Sequence, residues 1–415
     1  MSDTTNTKDT TSEKDRILKN GIIFDRIDYL NNFAMHRLKV FSLTALIFLT
    51  VKTWSQDNEI RINELMTEGT LEFLTDKAKA IETFTKVLEI DSTYSQAYYM
   101  IGQSYYGLGM LREAFFYMDR TIRFEPDNAK AYAIIGVIFV ESNDYFNALR
   151  AYNEAVKLSP GTATYYYQRG FVQCKMENFW YAIKDFETAI QLNYKEKDVY
   201  YWMGYSLMLI GDYTLALEHF ETAIEKGKRD ADIFFNRGYA RMFHQQFDDA
   251  LEDMEMTISF DHQYAPAYFT KAYIKSVQKR YLEAIIAYSQ GLELAPLVVD
   301  GYKNRGLAFE AYGNIEKAIE DYTKCIQLDP KNAEIYFLRS NLFEKQKLYA
   351  EALADITTYT KLRPDDAKAI YARGRLRLFN VDEKGACEDF REAANKGDLD
   401  AIKAIEEICN VIETE

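Results

Sequence analysis

The chain has 415 residues, a net charge of −14 and 48% apolar residues. The acidic excess argues against nonspecific binding to nucleic-acid phosphates, which requires clustered cations, and the apolar fraction excludes a mostly disordered chain. The length would suit two or three ordinary domains, but the spacing of the prolines indicates a repeated unit.

The N-terminal part of the chain contains a candidate targeting segment. Residues 1–34 are polar, a basic stretch begins at Met35, a mostly apolar run covers residues 40–51, and a polar exit follows up to Gln56. This order is typical of a secretory signal peptide, so we predict one over residues 35–55. Met35 is then the expected translation start, and residues 1–34 are a misassigned upstream or disordered segment.

Two other interpretations of this segment stay open. The apolar run is shorter than the ~20 residues of a membrane-spanning helix, but residues 38–54 could act as an uncleaved signal anchor, the only membrane contact that we expect. The segment could also form a buried amphipathic helix. A cleaved signal would export the protein to the periplasm or the cell envelope.

From residue 95 to residue 397 the sequence follows a 34-residue period. Only six prolines occur, and five of them are separated by 34 residues or by four times that number. One register holds small residues: Gly102, Gly136, Gly170, Gly204, Gly238, Ala272, Gly306, Ser340 and Gly374. Another holds only alanine: Ala114, Ala148, Ala182, Ala216, Ala250, Ala284, Ala318, Ala352 and Ala386. Nine units keep this phase without an insertion.

A single unit, residues 299–332, shows what the period encodes. Its first half carries aromatic, small and aromatic residues at helical spacing, and Gly313 then breaks the helix. Its second half carries Ala318 and Tyr322 on one face and ends before Pro330. Such a hairpin has two apolar sides and cannot bury both alone, so neighbouring hairpins must stack.

This pattern resembles the tetratricopeptide repeat (TPR) family over about residues 61–400. The resemblance implies an all-α fold, a right-handed superhelix of helical hairpins with about ten repeats. Residues 57–94 are expected to form an irregular first repeat, because Gly69 and Ala80 lie one residue closer together than in other units. Nine phased repeats fill residues 95–397, and residues 398–415 are expected to form a capping helix, with Ile402, Ile405 and Ile408 on one face.

Five repeats share an arginine before the small position and an aspartate sixteen residues later. Four other phased repeats lack both residues, so we predict an ion pair between the two helices of each of these five hairpins. An arginine ladder for anionic ligands is the alternative. The predicted pairs are Arg169 with Asp185, Arg237 with Asp253, Arg305 with Asp321, Arg339 with Asp355, and Arg373 with Asp389.

The four cysteines divide into different expected roles. Cys325 occupies a small core position of the repeat and is expected to be a buried thiol. Cys387 begins the second helix of the last repeat, and Cys409 lies near the end of the antiparallel capping helix, so the two ends should meet. A disulfide between them is possible in an exported protein.

Little in the sequence supports catalysis. The histidines His219, His244 and His262 fall at different repeat offsets and form no metal-binding spacing. The repeats occupy nearly the whole chain and leave no room for a catalytic domain. We therefore expect no enzyme activity, no cofactor and no metal site.

The remaining candidate for function is the surface of the first helices. In the TPR family the residues next to the aromatic and next to the small position face the concave groove, and the central repeats carry rings at both places. Either these rings bind a partner, or they pack against neighbouring helices. The eight rings are Tyr167, Phe171, Tyr201, Tyr205, Phe235, Tyr239, Phe269 and Tyr273.

These features predict a protein-binding scaffold of the cell envelope. The aromatic stripe would hold an apolar or aromatic peptide segment, with basic flanks because acidic residues such as Asp232 and Asp300 lie beside it on the same helices. The alternative is a carbohydrate-binding module, because stacked tyrosines also suit sugar faces. The identity of the partner does not follow from the sequence.

Overall fold

The structure is a computed structural model that describes residues 10–409; in the first helix it describes the side chains of residues 35, 37–48, 51, 52 and 56 onward. Every secondary-structure element in this part of the chain is helical, and successive helices pair into hairpins. The predicted all-α fold of stacked TPR-type hairpins is confirmed. The expectation that residues 1–34 are misassigned or disordered lies outside the residues whose side chains are described.

The chain divides into two compact units, Met1–Tyr165 and Tyr166–Glu415. The first unit contains α1 (Thr10–Thr75), α2 (Lys77–Ile90), α3 (Ser95–Gly107), α4 (Leu111–Phe124), α5 (Ala129–Glu141) and α6 (Tyr145–Leu158). The division falls within α7 (Ala163–Lys175). The second unit then contains α8 (Phe179–Gln191), α9 (Lys197–Leu209), α10 (Tyr213–Glu225), α11 (Ala231–Phe243), α12 (Phe247–Phe260), α13 (Ala265–Val277), α14 (Tyr281–Leu294), α15 (Val299–Tyr312), α16 (Ile315–Leu328), α17 (Ala333–Lys345), α18 (Tyr349–Leu362), α19 (Ala367–Phe379), α20 (Glu383–Asn395) and α21 (Leu399–Ala404).

The small residue of each first helix makes room for a large side chain of the second helix. At Gly306 a Cβ atom would lie 2.6 Å from the ring of Tyr322, which is fully buried. Ser340 occupies the same position in the next repeat, and its hydroxyl donates a hydrogen bond to the Ala352 carbonyl at 2.8 Å. The small positions of the first helices and the aromatic positions of the second helices therefore contact each other within each hairpin.

The turn inside a hairpin requires one residue in the left-handed region. Gly313 takes this conformation at φ 94° after α15, and the Asn314 side chain then caps α16 by accepting the Lys317 N–H. At the equivalent turn position Asn143 has φ 57°, and Val381 has φ 63°. A branched side chain is poorly suited to this region, so Val381 carries backbone strain that glycine would avoid.

The first hairpin differs from the others. Only Asp76 separates α1 from α2, whereas most later hairpins have three residues between their helices, so the turn is shortened as expected from Gly69 and Ala80. Phe84 still packs against Gly69, where a Cβ atom would lie 2.6 Å from its ring. Leu71, two residues further along α1, has 64% of its surface exposed.

The predicted targeting segment lies within α1. Its described apolar side chains between residues 38 and 51 are exposed on all sides of the helix; Phe41, for example, is 79% exposed. The alternative of a buried amphipathic helix is therefore wrong for these residues. Among the described residues, none of the helices has the combined length and apolar character that a membrane crossing requires.

The C-terminal end is closed by α21 and a π-helical turn, Ile405–Cys409. The structure links Cys387 of α20 to Cys409 by a disulfide bond with the Cα atoms 5.7 Å apart. Of the three isoleucines expected on one face of the capping helix, Ile405 and Ile408 pack against the cluster around Phe390, whereas Ile402 is exposed. The π-turn shifts the helical register, and the small Ala401 and Ala404 face the core instead.

Candidate functional site

The eight predicted ring positions lie on the first helices α7, α9, α11 and α13, and they do not share one environment. Tyr201 is only 7% exposed and belongs to the core around Phe186 and Phe220. The prediction that it lines a binding surface is therefore wrong. Tyr273 is 48% exposed, and the other six rings are half-buried.

The first ring of each pair serves mainly packing. Tyr167 stacks on Tyr194 with ring centroids 4.7 Å apart, and Phe235 contacts Tyr264 at 5.0 Å. Phe269 lies between Gly291 of α14 and Gly301 of the next repeat, where Cβ atoms would be 2.8 Å and 2.9 Å from its ring. These rings fill the junction between one repeat and the next, which is the packing alternative raised for the stripe.

The second ring of each pair reaches the surface, but in two different settings. Phe171 contacts Trp202 at 5.0 Å, and the Lys175 ammonium lies 4.8 Å from the centre of the Trp202 ring. Two repeats further on, Tyr239 contacts Phe243 at 4.9 Å, and within the described residues no lysine or arginine lies over either ring. The aromatic surface near Phe171 is thus covered by the chain's own lysine, and the surface near Tyr239 is open.

The open part forms a cavity of about 630 Å³, lined mainly by the first helices of three successive repeats and also by Gln245 of the turn after α11 and Phe247 at the start of α12. We call it the central groove. Its lining is uncharged and includes Tyr239 and Phe243 of α11, Phe269, Tyr273 and Val277 of α13, and Asn304 of α15. Phe243, Val277 and Asn304 were not among the predicted residues. Phe243 and Val277 each follow a predicted tyrosine by four residues, so the i, i+4 helical spacing would have found them.

Burial acts on the hydroxyl groups of three tyrosines in this region. Burial raises the pKa of Tyr205 and of Tyr239 above the ordinary value for the phenol. Burial, and then the Asp232 carboxylate that accepts a hydrogen bond from its hydroxyl, raises the pKa of Tyr264. Of these three, Tyr239 lines the central groove, which therefore offers apolar rings and the neutral Tyr239 hydroxyl to a ligand.

The five arginine–aspartate pairs are present, with nitrogen–oxygen distances of 2.5–2.8 Å. Their aspartates are nearly fully buried, so they are not the exposed pairs whose contribution is small. Arg305 also donates to the Ser289 hydroxyl of α14 at 2.9 Å, and Arg339 donates in the same way to Thr323 of α16. Each of these two arginines thereby joins two neighbouring hairpins, which leaves no free arginine ladder at these positions.

Other reactive groups in the described residues are inert or isolated. Burial raises the pKa of the Cys325 thiol to about 12 and that of Cys174 above its ordinary value, so neither is a thiolate near neutral pH. Burial lowers the pKa of His219. No group of three potential metal ligands occurs among the described side chains.

Comparison with known proteins identifies the repeat. Tetratricopeptide repeat models match residues 95–128, 175–232, 203–265, 265–296 and 299–332, and a TPR repeat model matches residues 136–177. Together these segments cover more than half of the chain. No curated protein matches the sequence.

Several solved structures are similar to this chain. The C-terminal part of a TPR repeat-containing protein from Cytophaga hutchinsonii is 16% identical, with a TM-score of 0.54 over 58% of this chain and 99% of that chain. PilW, a widely conserved type IV pilus biogenesis factor, is 16% identical (TM-score 0.45; 50% of this chain, 96% of that chain). YrrB, a TPR protein with an unusual peptide-binding site, is 21% identical (TM-score 0.40; 45% and 96%). On the repeat matches and the paired helices, this chain belongs to the tetratricopeptide repeat family.

Proposed function

We propose that this protein is a non-enzymatic scaffold that binds an apolar or aromatic peptide segment in the central groove. TPR proteins generally mediate protein–protein interactions. The observation that carries the finer proposal is the uncharged, aromatic cavity shared by α11, α13 and α15. Its volume is in the range of sites that hold small ligands, and two of its rings, Phe243 and Tyr273, are exposed to solvent.

The physical argument rests on the exposed apolar area. Phe243, Tyr273 and Val277 each have close to half of their surface exposed, and all three line the same cavity. A contiguous apolar patch of this kind marks an interaction site more often than scattered single residues do. A partner side chain would fill the cavity and remove these surfaces from water, with a gain of about 25 cal/mol per Å² of apolar area.

We propose in addition that the protein is exported to the periplasm or the cell envelope. The support is the combination of a basic stretch, an apolar run and a polar exit over residues 35–55, together with the exposure of Phe41 and Phe48. Such side chains on a free helix are costly in water and suit a signal sequence or a lipid surface. Cleavage near Gln56 would leave residues 57–75 of α1, which pack against α2, in the mature chain.

A photo-cross-linking experiment tests the binding proposal. A benzoylphenylalanine is introduced in place of Tyr273 in the central groove, and in a matched control in place of Tyr181, an exposed ring on the second helix α8. We expect a polypeptide adduct at position 273 and none of the same mass at position 181. Equal adducts at both positions would contradict a specific groove, and binding to a glycan array that is lost in Tyr273→Ala would favour the carbohydrate alternative.

N-terminal sequencing of the purified protein, together with fractionation, tests the localisation. A periplasmic chain that starts at or near Gln56 supports cleavage and export. A membrane-bound chain that starts at Met35 supports the anchor over residues 38–54. A cytoplasmic chain that starts at Met1 would contradict both.

A further inference from the structure

We propose that the peptide segment in the central groove carries a lysine or arginine two or three residues from its apolar side chain. This inference rests on the proposed function and adds the charge of the ligand and its spacing. It is drawn from the balance of charged side chains on α11, α13 and α15, the three helices that form the central groove.

All six cationic side chains of these three helices are engaged in ion pairs within the protein. Each of them lies 2.6–3.1 Å from a carboxylate oxygen; Arg237 and Arg241 share one carboxylate, and Arg241 has a second partner in Glu221 at 3.7 Å. The pairs are Arg237 and Arg241 with Asp253, Lys271 with Glu255, Lys275 with Glu283, Lys303 with Glu334, and Arg305 with Asp321.

Two carboxylates on the same helices have no such partner in the described part of the chain. Asp232 of α11 is exposed and accepts one hydrogen bond, from the Tyr264 hydroxyl at 3.1 Å. Asp300 of α15 is exposed, and its carboxylate makes no hydrogen bond or ion pair with the described residues. The equivalent position of α13 holds Pro266. The two carboxylates therefore lie on the helices before and after α13, whose own first turn is uncharged.

These carboxylates lie at the same end of their helices, one to two turns from the cavity. Asp300 precedes Asn304 of the lining by four residues, which is about 6 Å along the helix axis and on the same face. Asp232 precedes Tyr239 by seven residues, or about 10 Å. An extended peptide advances about 3.3 Å per residue, so a cation two or three residues from the apolar side chain reaches one of these carboxylates.

The charge balance also selects against other ligands. An acidic segment would meet Asp232 and Asp300 with no available cation on these helices. A neutral segment would fill the cavity but leave the two carboxylates unused, so it would bind more weakly than a basic one. The attraction acts between exposed groups and therefore weakens as salt screens it.

Selection from a phage-displayed library of random dodecapeptides against the full chain tests the proposal. We expect the selected peptides to combine an aromatic or large aliphatic residue with lysine or arginine two or three positions away. Synthetic copies should lose affinity about two- to fivefold in Asp232→Asn or in Asp300→Asn, the range for an exposed ion pair. Asparagine keeps an oxygen acceptor at position 232 for the Tyr264 hydroxyl, so the substitution removes the charge and little else.

Two controls separate this inference from the proposed function. Glu293→Gln on the second helix α14 removes an exposed carboxylate away from the central groove and should leave affinity unchanged. Tyr239→Ala with Tyr273→Ala should abolish binding of the same peptides. If binding is lost in this tyrosine variant but is equal in the wild type and in Asp232→Asn with Asp300→Asn, or if the selected peptides lack cations, the charge inference fails alone. If no peptide is selected, or if the tyrosine variant binds normally, the proposed function fails with it.

Discussion

The first hairpin, α1–α2, and the later hairpin α17–α18 place leucine at the same repeat position with opposite exposure. Leu71 and Leu342 each follow the small residue of their first helix by two positions. Leu342 is fully buried in a cluster with Tyr322 and Cys325 of the preceding second helix, α16. Leu71 has 64% of its surface exposed.

This difference shows that the position of a residue within the repeat does not by itself determine whether its side chain is buried. The same side chain is core where a preceding hairpin covers it and surface where none does, because each hairpin contacts only its neighbours. Stability at such a position therefore measures the interface between repeats and not the fold of one hairpin.

The largest loss of unfolding free energy is expected when a charged residue replaces Leu342. Leu342→Lys removes a fully buried leucine and places an ammonium group with no partner in an apolar cluster, so we expect a loss of at least about 4 kcal/mol of unfolding free energy. Leu71→Lys, the matched control, should cost less than about 0.5 kcal/mol. Urea denaturation followed by circular dichroism measures both, and equal effects would contradict the comparison.

The second-largest loss of unfolding free energy is expected at the buried ion pairs, because they also connect neighbouring repeats. Asp321→Ala leaves the Arg305 guanidinium buried without its carboxylate and should cost about 3–5 kcal/mol. The first hairpin holds Glu68 at the arginine position and Thr83 at the aspartate position, so it has no such pair.

The matched control for that variant removes both charges. Arg305→Met with Asp321→Leu should be clearly more stable than Asp321→Ala alone, since no unpaired charge remains buried. Thermal unfolding distinguishes the two variants. A double variant that is as unstable as the single one would mean that packing of the arginine stem, and not its charge, sets the cost.

The disulfide between Cys387 and Cys409 closes the C-terminal end of the array. Cys387→Ala with Cys409→Ala removes a bridge over 22 residues, for which chain-entropy arguments give about 3 kcal/mol. The loss should concentrate in the terminal helices, so hydrogen exchange should accelerate in residues 399–409 and remain unchanged in α15 and α16. Uniform acceleration through the second unit would show that the cap stabilises the whole stack.

The smallest change in stability is expected from relieving the backbone strain at Val381. This strain belongs to the turn of one hairpin and not to an interface between repeats. Val381→Asn places at the left-handed position the residue that Asn143 supplies in another turn, and should raise stability by about 1 kcal/mol. Gly211→Val, at the same turn position with φ 88°, is the reverse control and should lower it. Differential scanning calorimetry resolves both changes.

Much of this molecule could be predicted from the sequence. The 34-residue period predicts the paired helices, and the co-occurrence of arginine and aspartate sixteen residues apart indicates which side chains are neighbours. The binding surface could be predicted only in part. Tyr201, Tyr205 and Tyr239 belong to the same aromatic pattern, yet the first lies in the core and the other two are half-buried, because the burial of Tyr201 comes from neighbouring helices, through Phe220 of α10 and Asn236 of α11.

The sequence by itself determined the repeat unit, because small, aromatic and proline residues recur for steric reasons that act within one hairpin. Only the tertiary structure decided which faces are open. Whether Leu71 or Leu342 meets water, whether Lys175 covers a ring, and which carboxylates remain unpaired depend on contacts with neighbouring helices. A local pattern specifies its own helix, while the environment of each side chain is set by residues about 16 to 34 positions away.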